Sequence, residues 1–403
     1  MRRFQWIAFA VLVSSCGDGS PTGSGTDTPG DVGSGGRADP MFSQAVLHEV
    51  RLVMDPRDWQ ALRDNFRENQ YYAANISIDR ETATQVGVRS RGDGSRDANK
   101  PGLKIDFNKF VKSQEFHGYK TLVVDNVTQD RSLVRERLAY AAYEAMGIAS
   151  PQIAHARLTV NDQYWGVYAL IEPISKPFLM NRFREESGNL FDYEYRFNWD
   201  FSFLGSNPDE YVPEPFQPET NEDKLDARGL VEFVRTVNDA REAGFAATLA
   251  PFLDVDRFLA YVATENALAE RDGFVGDYGV NNFYLYQYGH STRFVLIPWD
   301  KDTAFIGGQW PLMYNLEDNV LTRKLMADPA KQKVYRDAVV QAVRTAVNSR
   351  FLGPRLDQAY QQIRAAVLAD TKKPYTNDDF EREIQFLRAV IADREPDVTR
   401  QAP

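Results

Sequence analysis

The stretch FVLIPWDKDTAF, residues 294–305, sets two carboxylates where an apolar strand gives out. Phe294, Val295, Leu296 and Ile297 form a run of β-favouring apolar residues, the pattern of a strand with no solvent face. After Pro298 and Trp299 come Asp300 and Asp302, with Lys301 between them. Clustered carboxylate oxygens suit a hard divalent cation. The same residues also suit a strand end entering solvent, where Asp is common in turns. The chain ahead of the strand decides between the two readings. The strand is the second arm of a hairpin whose first arm begins at Asn282 in NNFYLY, and before that ENALAERDGFVGDYGV carries a helix that runs out at Asp272-Gly273. Metal-assisted phosphoryl transfer uses an acid near the attacking hydroxyl, metal-binding Asn and Asp side chains, a cation on the phosphates and a loop over them.

The order of helix, Asp, loop, Asn, hairpin and Asp is that of a protein kinase, and it is accompanied by VGVRSRGDGSR, KPGLKIDF, DRSLVRERLAYAAYEAMG, YWGVYALIEPI, ERDGF, NNFYLY and IPWDKD. With these motifs in this order the chain resembles the CotH kinase family, from about residue 41 to 310 and more loosely to 395. The resemblance implies ATP-dependent protein phosphorylation with Mg²⁺ or Mn²⁺. It matches Asp272 to the catalytic-loop Asp, Asn282 to the following Asn and Asp300 to the metal-binding Asp; the adjacent Asp302 is expected to help Asp300 and Asn282 hold the metal. The gap from Asp272 to Asn282 is longer than the kinase spacing, and Asp277 lies closer to Asn282. Asp277 is therefore a rival for the catalytic role; the DG after the helix favours Asp272.

Gly92 and Gly94, with Arg91 and Ser95 in RGDGSR, form a turn whose backbone N–H groups could approach phosphate oxygens. A plain hairpin turn is the alternative. Lys104, on the polar phase of GLKIDF, is the expected phosphate-contacting lysine and Lys100 the alternative; Glu136 is the expected acidic partner. Glu172 ends the apolar strand VYALIEP, where a kinase-like fold sets the hinge beside the adenine, although a strand-end Glu with a structural partner fits equally. Other chemistries are disfavoured. His48, His117, His155 and His290 are scattered without zinc-protease spacing. No G-x-S-x-G elbow occurs after the leader.

The elements that must position these residues read as α+β: a bilobal, protein-kinase-like fold with a β-rich N-lobe at 41–175 and a mainly helical C-lobe at 176–403. The spacing predicts a short helix capped by Asp55 with Pro56 in its first turn, and a helix from about Ser132 to Gly147. It also predicts a hairpin turning at Asn161-Asp162, and helices at 228–243, 255–270, 331–348, 354–370 and 377–394.

Two further segments precede the fold. Residues 1–16 combine Arg2 and Arg3 with the apolar core Ile7–Val13 and end in VSSC, resembling a bacterial lipoprotein signal with Cys16 as the acylated residue. Residues 17–40 are dominated by Gly, Ser, Thr, Pro and Asp, the composition of a disordered tether. The expected setting is therefore extracytoplasmic and lipid-anchored to the cell envelope, at the outer membrane if the host has one. Cys16 is the one cysteine of the chain, so an intramolecular disulfide is excluded. The net charge of −10 argues against nucleic acid as a partner. The expected partners are a protein substrate and, through Cys16, a membrane. A surface binding or adhesion protein that keeps the fold without turnover is the alternative function.

Overall fold

The computed structural model describes residues 38–196 and 198–402; the leader and nearly all of the tether, including Cys16, lie outside them. The first half is built from strand β1 (His48–Met54), helix α1 (Pro56–Asp64), strands β2 (Tyr72–Ile78), β3 (Glu81–Arg91), β4 (Gly102–Asp106) and β5 (Thr121–Asp125), helix α2 (Arg135–Ala145), and strands β6 (Ile153–Val160) and β7 (Gln163–Ile171). These seven strands close into a barrel in the order β1-β2-β3-β4-β5-β7-β6, sealed by parallel pairing of β1 with β6. The α+β character is as the sequence predicts. The closed barrel differs from the open sheet of a kinase N-lobe, because β1 finds a partner in β6 and leaves no free edge.

Period-two alternation sends neighbouring residues into different cores. Val124, Leu103, Ile105 and Leu122 fill the barrel, whereas Val123, Ile153, Val167 and Ile171 pack outward against the helical half. Helix α1 begins as expected, with Asp55 accepting the Arg57 N–H at 2.8 Å and Pro56 in the first turn. Its Trp59 meets Trp165 edge to face at 4.8 Å. The β6–β7 hairpin turns at Asn161 and Asp162, both with positive φ. Helix α2 starts at Arg135 rather than Ser132. The Asp130 carboxylate instead collects the N–H groups of Ser132 and Arg135 at 2.8 and 2.9 Å, which holds 130–134 as a turn.

The second half comprises α3 (Lys176–Phe183), β8 (Asn189–Tyr193), β9 (Phe216–Pro218), α4 (Arg228–Asp239), α5 (Phe245–Leu249), α6 (Val255–Ala267), β10 (Phe283–Gln287), β11 (Phe294–Pro298), α7 (Val320–Met326), α8 (Pro329–Thr345), α9 (Ser349–Ala369) and α10 (Asn377–Gln401). The β10–β11 hairpin is joined by β8 and β9 in a four-stranded antiparallel sheet of order β11-β10-β8-β9. Lys100 and Asp370 tie the halves together: Nζ lies 2.8 Å from Oδ2, and neither side chain is exposed. Among the described residues no helix is long and apolar enough to cross a membrane.

Candidate active site

The hairpin register explains why Asn282 and Asp300 meet. Phe283 pairs with Pro298, so the residue before β10 and the residues after β11 emerge together, and the Trp299 N–H donates to the Asn282 carbonyl at 3.2 Å. Asn282 and Asp300 both take positive φ, 55° and 51°, a conformation that non-glycine residues keep where the surroundings impose it. The Asn282 amide donates to the Asp272 carbonyl at 2.7 Å, and the Asn281 amide donates to the Asp272 carboxylate at 2.9 Å. Burial raises the Asp272 carboxyl, against the pull of Asn281 and Lys301.

Asp277 lies elsewhere. It is exposed, accepts from the Tyr314 hydroxyl and sits 3.8 Å from Arg271. Of the two, Asp272 is the aspartate that shares the electrostatic surroundings of Asp300 and Lys301.

Carboxylates from three elements gather around Asp300. Asp125 ends β5, Glu136 lies in the first turn of α2, and Asp302 follows Lys301. Burial and the mutual repulsion of these acids push the carboxyls of Glu136, Asp300 and Asp302 upward. Tyr140 and Glu136, one turn apart on α2, hold the loop: the Tyr140 hydroxyl donates to Glu136 at 2.6 Å and receives the Asp300 N–H at 3.2 Å. The cations nearby are already engaged. Arg91 Nη1 lies 2.5 Å from Asp125, and Lys301 Nζ lies 2.9 Å from Glu265. Burial pulls the Arg91 pKa down, but Asp125, Asp300, Tyr284 and Glu136 outweigh it and raise it overall.

The donor chemistry fits a divalent metal. Buried hard oxygens exceed the local positive charge, which is the imbalance such a cation relieves. Asp300, Asp302 and Asn282 are the residues that would hold it. Among the described residues no three His, Cys, Asp or Glu side chains stand in ligating geometry. A Mg²⁺ ion held by one or two carboxylates would be completed by water and substrate phosphates.

The turn after β3 borders this cluster. Gly92 has φ +101°, and a Cβ there would lie 2.3 Å from the Ser95 hydroxyl, so the position requires glycine. Gly94 is open, its nearest neighbour for a Cβ being Gln129 at 4.0 Å. Asn126 staples the turn, donating to the Ser95 carbonyl at 2.9 Å and the Lys100 carbonyl at 2.8 Å.

Several expectations are corrected. Glu136 does not pair with Lys104; its neighbours are Tyr140, the Lys301 N–H at 3.4 Å and the Arg91 charge. Lys104 stands on the outer barrel face opposite Arg89 and Val123, and its charge lowers Glu219 against burial. Lys100 is removed from any phosphate by Asp370. Glu172 is structural: it accepts from the Tyr119 hydroxyl at 2.8 Å, the Gln152 N–H at 2.9 Å and Arg182 at 3.3 Å.

Sequence reasoning missed Asp125 and Lys301 as site residues. TLVVDN repeats the signal of FVLIPWD, an apolar strand ended by Asp, and could have revealed Asp125. Lys301 reads as a spacer until its partner is known. It is fully buried beside Glu265, and the Glu265 carboxylate also accepts the Phe274 N–H at 2.9 Å. Glu270 completes the support, receiving the Asp272 N–H at 2.8 Å and the Thr303 hydroxyl. Burial pushes Glu270 up to about 7.

A closed barrel followed by a mainly helical half, with the Asp272 loop bonded to the start of the β10–β11 hairpin, defines an α+β protein. The chain belongs to the CotH kinase protein family, whose profile matches residues 88–396. It is 24% identical over 367 residues to the inner spore coat protein H of Bacillus subtilis, covering 89% of this chain and 95% of that protein. It is 19% identical over 357 residues to the spore coat protein homolog 1 of Rhizopus delemar, covering 81% of this chain and 55% of that one.

Proposed function

We propose that this protein transfers a phosphoryl group from ATP, bound with Mg²⁺ or Mn²⁺, to a hydroxyl of an extracytoplasmic protein, using a kinase-like arrangement of barrel and helical half. The observation that carries this reading is the meeting of Asp272, Asn282 and Asp300 around one hairpin end, in an acid cluster whose nearby cations are already paired. The metal, when bound, supplies charge neutralisation at the phosphate oxygens. Asp300, with Asp302 and Asn282, holds it. Arg91 and the 92–95 turn face the phosphates, the guanidinium with charge and the turn with backbone N–H groups. Asp272, steadied by Asn281, orients or deprotonates the acceptor hydroxyl. Its electrostatic surroundings include the exposed Tyr195.

A cavity of about 1270 Å³, lined by Thr121, Ser175 and Glu219 among others, lies apart from the acid cluster. It follows the end of β7, where a kinase-like fold binds the base, and its size suits a nucleotide. The names of the two spore-coat relatives support a surface-associated setting. The leader and Cys16 support delivery there as a lipid-anchored protein.

The test is incubation of the purified protein with γ-labelled ATP, Mn²⁺ and a panel of surface proteins. Label incorporation that requires metal supports the reading. Saturable Mn–ATP binding without any transfer would leave the binding protein instead.

A further inference from the structure

The loop that carries Asp272 and the loop that carries Asp300 and Asp302 run side by side. The Phe305 N–H donates to the Leu268 carbonyl at 2.7 Å, and the Ile306 N–H to the Ala269 carbonyl at 3.4 Å. Each loop bends there through a left-handed residue, Ala269 with φ 51° and Phe305 with φ 62°, conformations that the surroundings must hold. Next to that contact stands Glu270, which has no exposed surface. One carboxylate oxygen, Oε1, accepts both the Asp272 N–H at 2.8 Å and the Thr303 hydroxyl. Among the described residues the other oxygen has no hydrogen-bond partner, so the bonding of this side chain goes to the two loops. Two donors on one oxygen stand no more than about 6 Å apart, the span of two hydrogen bonds. Thr303 directly follows Asp302. The shared oxygen therefore ties the Asp272 main chain to the loop of the metal-holding acids. Burial raises the Glu270 carboxyl, and the Lys301 charge and the two donors pull it back down.

We propose that Glu270 is a positioning residue that couples the aspartate loop to the metal loop, so that the place of Asp272 follows that of Asp300 and Asp302. Its effect on rate rests on the transfer reading above; the coupling rests on the two loops alone. The hydrogen bond to Asp272 runs through the main chain, which leaves the Asp272 carboxylate to Asn281 and the acceptor hydroxyl. The part played by Glu270 is therefore geometry, not proton transfer.

The experiment combines transfer kinetics with amide hydrogen exchange on the full chain. Glu270→Ala should lower kcat about 10²-fold and leave KM for Mn–ATP within about threefold. Glu270→Gln keeps an acceptor oxygen and should stay within about tenfold of the unaltered protein. Thr303→Val removes the second donor without touching Asp272, yet should speed exchange of the Asp272 amide about tenfold. Glu270→Ala with Thr303→Val should transfer no more slowly than Glu270→Ala alone. An undiminished kcat in Glu270→Ala, or a loss carried by KM, overturns the proposal and leaves the transfer reading standing. Unchanged Asp272 exchange in Thr303→Val overturns it whether or not the protein transfers phosphate. Absence of transfer by the unaltered protein overturns the transfer reading, and the exchange result then decides the coupling by itself.

Discussion

Lys301 Nζ lies 2.9 Å from Glu265 Oε1, and neither side chain is exposed. The pair joins the loop that carries Asp300 to the end of α6, the helix that leads into Asp272. Lys301→Met should destabilise the protein by about 3–5 kcal/mol, because it leaves a carboxylate buried without its partner. Lys301→Met with Glu265→Leu should recover most of that loss. Chemical denaturation of the two variants tests this; equal losses would mean that the pair carries no coupling.

Asp272→Ala should lower phosphoryl transfer by about 10²–10⁴-fold while leaving Mn–ATP affinity within about threefold. Asp277→Ala should change neither, since its partners are the Tyr314 hydroxyl and the exposed Arg271, away from the acid cluster. Transfer assays and calorimetry on both variants decide the matter, and an inactive Asp277→Ala beside an active Asp272→Ala would reverse the assignment.

Asp300→Asn removes charge from the cluster with little change of shape. It should abolish metal-dependent nucleotide binding and leave the melting temperature equal or higher, because repulsion among Asp125, Glu136 and Asp302 is relieved. Unchanged calorimetric affinity for Mn–ATP would remove Asp300 from the metal site.

Stability should fall with rising pH in the absence of metal. Burial, with Glu219 beside it, lifts Asp192 from 3.8 to about 8, and burial lifts Glu270 from 4.5 to about 7. Both groups hold their proton more tightly folded than unfolded, so the folded state binds more protons across that window and loses stability as pH rises through it. Mn²⁺ should raise the melting temperature near the top of the window, where Asp300, lifted to about 6, has lost its proton, and have little effect near the bottom, where it keeps it. A metal effect of equal size at both ends would contradict the acid cluster as the binding site.

Much of this was legible from local pattern. The Asp55 cap, the Asn161-Asp162 turn, the β10–β11 hairpin and the order of Asp272, Asn282 and Asp300 all rest on spacing within a few residues. What was not legible depends on distant partners. The closed barrel follows from β1 meeting β6, about a hundred residues on. Lys100 is a structural cation because of Asp370, 270 positions away, and nothing near Lys100 distinguishes it from Lys104. Glu172 reads as a hinge residue until Tyr119 and Arg182 are seen around it.

Cys16→Ser should release the protein from membranes into the soluble fraction with Mn–ATP binding intact, since a lipid-bearing cysteine is the proposed attachment. Fractionation tests it. A variant that still sediments with membranes is held there by something other than lipid on Cys16.

The last helix reaches back to the catalytic loop. Arg394 of α10 is buried and donates to the carbonyls of Asn266 and Ala267 at 3.0 and 2.9 Å, where α6 ends and the chain turns toward Asp272. The loop is therefore not in place until the ribosome has completed α10. A chain cut before α10 would carry every side chain of the proposed site in its sequence without the brace that sets their geometry.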